Sequence, residues 1–76
     1  MKKYLVEVAF KKWIKDTPNN GVIDYYEVDA YDGDCAIKIA TDSFEIDYKY
    51  KPWVKKYMKQ FNATLYDVEV SGVIKI

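Results

Sequence analysis

Hydrophobic and polar positions alternate along the first stretch of the chain. From Lys2 to Ile14, Tyr4, Val6, Val8 and Phe10 share one face, while Lys3, Leu5, Glu7, Ala9, Lys11 and Trp13 share the other. A period of two with β-branched and aromatic residues predicts a strand. Asp16-Thr17-Pro18-Asn19-Asn20-Gly21 is dense turn chemistry, since Pro fixes φ while Asn and Gly accept positive φ. It is too long for a two-residue hairpin turn, which predicts an open, mobile loop. Alternation resumes from Val22 to Tyr31. Val22, Asp24, Tyr26, Val28 and Ala30 face one way, and Ile23, Tyr25, Glu27, Asp29 and Tyr31 the other. This second strand is expected to pair antiparallel with the first.

The period then changes. Asp32-Gly33-Asp34 stops the strand, and either aspartate suits the N-cap of a helix. Ala36, Ile37, Ala40 and Phe44 fall on one helical arc, with Ile39 flanking it. Over 44–51, Phe44, Ile46, Tyr48 and Tyr50 alternate strictly with Glu45, Asp47, Lys49 and Lys51. That alternation, with Pro52 biasing Lys51 away from helical angles, predicts an extended segment; continuation of the helix is the competing reading. Pro52 suits the first position of a second helix. Trp53, Val54, Tyr57, Met58 and Phe61 form its apolar side, Lys55, Lys56 and Lys59 its wet side, and Asn62 its C-cap. Thr64 to Ile76 reads as a last strand in which Tyr66, Val68, Val70, Ile74 and Ile76 keep one parity, with Gly72 marking a bend or bulge.

The order β-β-α-(extended)-α-β predicts an α+β fold in a single domain over residues 1–76. The expected architecture is a small two-layer sandwich, a three-stranded, mainly antiparallel sheet with two short helices on one face. The strand order is left open. If the helices cover the face of Tyr4, Val6, Val8, Tyr26, Val28, Tyr66, Val68 and Val70, the opposite face carries Leu5, Ala9, Trp13, Ile23, Tyr25, Tyr31, Leu65 and Val73. That face is too apolar for an idle solvated surface unless 44–53 folds across it. The expected use is a protein-binding surface anchored by Leu5, Trp13, Ile23, Tyr25 and Tyr31, with Asp29, Asp32 and Asp34 as an acidic rim. A sheet-to-sheet homodimer is the structural alternative.

Composition favours binding over chemistry. The chain has 8 Tyr, 3 Phe and 2 Trp, a surplus of aromatics that a 9.0 kDa core does not readily hide. It has no histidine, the commonest general base and metal ligand. Ser43 and Ser71 therefore lack a base, and no glycine-rich phosphate loop exists, so no enzyme activity is expected. Asp29 to Asp34 lacks the alternating acids and flanking helices of a calcium loop, so neither metal nor cofactor is implied. Cys35, the single cysteine, can form no internal disulfide and is expected to be a half-buried residue in the first helical turn. No stretch is long and apolar enough to span a membrane, and Met1-Lys2-Lys3 is not followed by an apolar core, so a soluble, cytoplasmic protein is expected.

The formal net charge of zero hides a segregation. Residues 1–15 carry five lysines and one acid, residues 24–47 eight acids and one lysine, and residues 48–60 five lysines and no acid. The acidic middle either steers a basic partner or is neutralised by lysines across the hairpin. The second reading is the preferred expectation. The basic stretch interleaves Tyr48, Tyr50 and Trp53 with Lys49, Lys51, Lys55, Lys56 and Lys59, the composition of a single-strand nucleic-acid groove and the alternative to protein binding. A short compact α+β chain rich in Lys, Ile, Tyr and Asp, with no catalytic motif, resembles small phage-encoded accessory proteins. That resemblance of overall character implies a binder that inhibits or redirects a host protein, including one of a defence system.

Overall fold

A computed structural model describes residues 1–76. Three strands, β1 (Lys2–Phe10), β2 (Val22–Ala30) and β3 (Val68–Lys75), form an antiparallel sheet in the order β2-β1-β3. Two helices, α1 (Gly33–Tyr50) and α2 (Pro52–Gln60), connect β2 to β3. The fold is thus α+β, ordered β-β-α-α-β, with the first strand in the centre. The shortest dimension, 17 Å, is that of one sheet with one layer of helices.

Both helices pack on the face of the sheet that carries Tyr4, Val6, Val8 and Phe10. Tyr4 and Val6 join Ala30, Ala36 and Ala40 in one cluster, where small residues let α1 approach the strands closely. Val8 and Phe10 join Phe44, Val54, Met58 and Ala63 in a second, bulkier cluster under α2. Phe10 also packs against the rings of Tyr57 and Phe61, at centroid distances of 6.2 and 6.0 Å.

The 44–51 segment is helical, which corrects the expectation of an extended chain. Ala36, Ala40, Phe44 and Tyr48 recur every fourth residue and form a single inward stripe, so the strict alternation from Phe44 is coincidental. Ile46 and Tyr50, half of that alternating set, are exposed. Asp47 anchors the last turns: its carboxylate accepts from the Tyr26 hydroxyl at 2.6 Å and lies 3.5 Å from Lys51 Nζ. Only Lys51 is extended (φ −90°, ψ 116°), as the residue before Pro52, and it ends α1 and begins α2 at once. At the end of α2 the cap is Phe61, and Asn62 is the left-handed residue beyond it (φ 54°). Ala63 donates to Met58 O and Asn62 to Lys59 O, the pairing of a Schellman end.

Two strand boundaries also move. β1 ends at Phe10, not Ile14: the Lys11 amide bonds to Asp67 O at 2.8 Å, and Ile14 turns in to pack on the α2-side cluster. β3 starts at Val68, not Thr64. Thr64 and Asp67 form a capping box around a 3-10 turn, Leu65–Asp67, and Tyr66 is exposed rather than part of the core. Leu65, expected on the outer face, packs against the α2-side cluster.

Each outer strand carries one bulge opposite Glu7–Ala9, and these bulges rewrite the parity. Val8 pairs with Asp24 but Ala9 with Val22, so Ile23 is the extra residue and packs against the core instead of facing out. Glu7 pairs with Gly72 but Val8 with Val70, so Ser71 is extra. Beyond it Val73 turns inward and Ile74 outward, the reverse of the sequence-based assignment.

Candidate functional site

The helix-free face follows from the pairing register. Its cross-strand rows are Asp29–Lys3–Ile76, Glu27–Leu5–Ile74, Tyr25–Glu7–Gly72 and Val22–Ala9–Glu69. Leu5, Tyr25, Ile74 and Ile76 supply large apolar surface, and Tyr25, Ile74 and Ile76 are exposed. Four carboxylates surround them against one lysine. Glu7 stands at the centre. It accepts from the Ser71 hydroxyl at 2.8 Å, and as hydrogen-bond acceptor and negative charge it holds the Tyr25 phenol above its usual pKa. The phenol is a neutral hydrogen-bond donor at neutral pH.

The expected protein-binding set is divided by the fold. Leu5, Tyr25 and Asp29 share the open face, but Ile23 has moved to the core side. Trp13 lies beyond the Phe10 end of β1, while Tyr31, Asp32 and Asp34 lie beyond the Lys2 end, roughly 30 Å away at strand rise. Asp32 is the N-cap of α1 and accepts from the Cys35 amide at 2.8 Å, so its carboxylate has a structural role. Cys35 itself is exposed rather than half-buried. Ile74, Ile76, Glu27 and Glu69 complete the face. The glycine at 72 was the signal for Ile74 and Ile76, because a bulge beside it inverts every later position.

The lysines do not neutralise the acidic middle. Lys3–Glu27, at 3.3 Å, is the single cross-strand ion pair, while Lys38–Asp42 and Lys51–Asp47 are helical i, i+4 pairs. Asp24, Asp29, Asp34 and Glu45 have no lysine within 4.0 Å. The open face and its β2 border are consequently negative.

The lysine-rich segment is also divided. Tyr48, Lys55 and Lys59 line one hollow with Asn62, Ala63 and Thr64. Lys49, Tyr50, Lys51, Trp53 and Lys56 line no hollow, because Lys56 and Trp53 fall on the other flank of α2. A second hollow is formed by Lys11, Lys12, Trp13, Ile14, Tyr66 and Asp67. Tyr66, Lys11 and Lys12 were hidden by reading both segments as strand; the Thr64-x-x-Asp67 capping pattern was the available signal. A cleft between α1 and β3, lined by Phe44, Leu65 and Val70 among others, has a volume of only about 120 Å³, well below that of a drug-sized ligand pocket. No three acidic or cysteine side chains converge in a way that could hold a metal ion. No helix is long and apolar enough to cross a membrane.

Comparison with protein-family models, with curated proteins and with solved structures returns no match.

Proposed function

We propose that this chain is a non-enzymatic protein-binding module that engages a basic partner through the helix-free face of its sheet. The observation that carries this reading is the composition of that face, where Leu5, Tyr25, Ile74 and Ile76 sit in adjacent rows among Glu7, Glu27, Asp29 and Glu69. Aromatic and aliphatic anchors in a polar surround match the anatomy of interfaces. The acids select the partner by charge and speed its approach. They also count against a sheet-to-sheet homodimer, since each copy would bring four carboxylates and one lysine to the contact. The resemblance to phage accessory proteins makes inhibition or redirection of a host protein the form this binding takes.

The test is a paired change on the face, Tyr25→Ala with Ile74→Ala, both at exposed positions that leave the core untouched. Wild-type chain immobilised at low salt should retain a basic protein from native cell extract, and the folded double variant should bind it at least about 30-fold more weakly, the scale of one interface hot spot. Equal affinity of the folded variant for the same protein would falsify the assignment of this face.

A further inference from the structure

The two larger hollows of the molecule flank the same short segment, Thr64–Asp67, at the end of the sheet where β1 finishes. Each contains a pair of lysines beside aromatic surface. On one side Lys55 and Lys59 stand near Tyr48; on the other Lys11 and Lys12 stand near Trp13 and Tyr66. None of the four lysines forms a salt bridge. Asp67 is the one acid in either hollow, and its carboxylate is engaged by the Thr64 amide at 2.8 Å and the Thr64 hydroxyl at 3.3 Å. Trp13 and Tyr66 are 82% and 88% exposed. They touch no core cluster, so packing does not account for either ring.

We infer that this end of the molecule is a binding track for single-stranded nucleic acid, running from the Lys55–Lys59 hollow over the Thr64–Asp67 turn to the Trp13–Tyr66 hollow. The ligand chemistry follows from the groups present. Unpaired lysines suit phosphates as point charges, and exposed indole and phenol rings offer stacking faces to unpaired bases. Asn62 and Thr64 add polar edges between the lysine pairs. The track is held in shape before binding. The Lys11 amide bonds to Asp67 O at 2.8 Å, joining the two sides of the aromatic hollow. Beneath it, Phe10, Tyr57 and Phe61 form a cluster of rings that fixes α2 to the end of β1. Duplex is not the expected ligand, because stacking requires bases free of their partners. The site is separate from the acidic open face, whose charge would repel a nucleic-acid backbone.

Tryptophan fluorescence tests this directly. In a Trp53→Phe background Trp13 is the single indole, and titration with (dT)12 or (U)12 at 50 mM salt should quench it. The two oligonucleotides distinguish DNA from RNA as the favoured strand. With four lysines each displacing a counterion, affinity should fall about 50-fold between 50 and 200 mM salt. Read by the anisotropy of a labelled oligonucleotide, Trp13→Ala or Tyr66→Ala should each weaken binding roughly 5- to 150-fold, the range measured for loss of one stacking ring. Lys11→Glu with Lys59→Glu should abolish it, whereas Tyr25→Ala with Ile74→Ala on the open face should leave it unchanged. Failure of folded wild-type chain to bind either oligonucleotide at 50 mM salt overturns the inference. So does binding that survives in the folded Trp13→Ala, Tyr66→Ala chain, or equal affinity for poly-glutamate, which would mean attraction by charge alone.

Discussion

The two faces of β1 are made from alternate residues of one strand, yet they differ in kind. Tyr4, Val6, Val8 and Phe10 are buried beneath the helices, in contact with alanines at one end and with Phe44, Val54 and Met58 at the other. Leu5 and Glu7 look out over a face where acids lie beside exposed aliphatics of the neighbouring strand. Burial on the first face sets the fold, while the second face is free to carry other chemistry. Substitutions should separate the two by a wide margin.

The largest effect belongs to the covered face. Phe44 is 3% exposed and contacts the core cluster from the middle of α1. Phe44→Ala should cost about 3–5 kcal/mol, against the roughly 5–15 kcal/mol total of a native protein, near the low end for a small chain. Urea denaturation should show a large fall in midpoint or an already unfolded chain. A loss under about 1 kcal/mol would mean that α1 does not pack through this stripe.

A sharper comparison uses neighbours on β3. Beyond the bulge Val73 packs on the Tyr4–Ala40 cluster, while Ile74 is exposed on the open face. Val73→Ala should therefore cost about 1–2 kcal/mol and Ile74→Ala less than about 0.5 kcal/mol. The opposite ranking would place the bulge elsewhere and return the strand to unbroken alternation.

That pair shows what the sequence made legible and what it did not. The strands, the two helices and the covered face of β1 were all readable, because periods of two and 3.6 are imposed wherever a face is buried. Asp32 as N-cap and Pro52 as the first residue of α2 were readable from local backbone chemistry. Three features were not. The helix over 44–50 was masked by accidental alternation, and resolved by the inward stripe and by Asp47 reaching Tyr26, a residue 21 positions away. The positions of the bulges depend on pairing between strands, which no single strand encodes. The meeting of Lys11 and Lys12 with Tyr66 depends on β1 and β3 being neighbours. The open face was therefore located correctly but populated wrongly beyond each bulge, with Ile23 included and Ile74 left out.

Two tyrosines on the covered side offer a last comparison, and their effects differ in sign. The Tyr26 hydroxyl donates to Asp47 at 2.6 Å, whereas the Tyr57 hydroxyl is buried with no hydrogen-bond partner. Tyr26→Phe removes a partner from a carboxylate and should cost about 1–2 kcal/mol; Tyr57→Phe removes an unpaired polar atom and should be neutral or stabilising by up to about 1 kcal/mol. Alkali offers a second readout. Burial, then the Asp47 bond and charge, push the Tyr26 phenol far above its usual value, and burial also raises that of Tyr57. The unfolded chain loses these protons first, near pH 10, so the unfolded state then binds fewer protons and stability falls with rising pH. The contribution is complete below about pH 10 and is lost progressively above it. Urea midpoints at pH 8 and pH 11 should fall less in Tyr26→Phe than in wild type, because one of the protons that penalise the folded state is gone. An identical fall in both chains would mean that the Tyr26–Asp47 contact does not hold the end of α1 to β2 in solution.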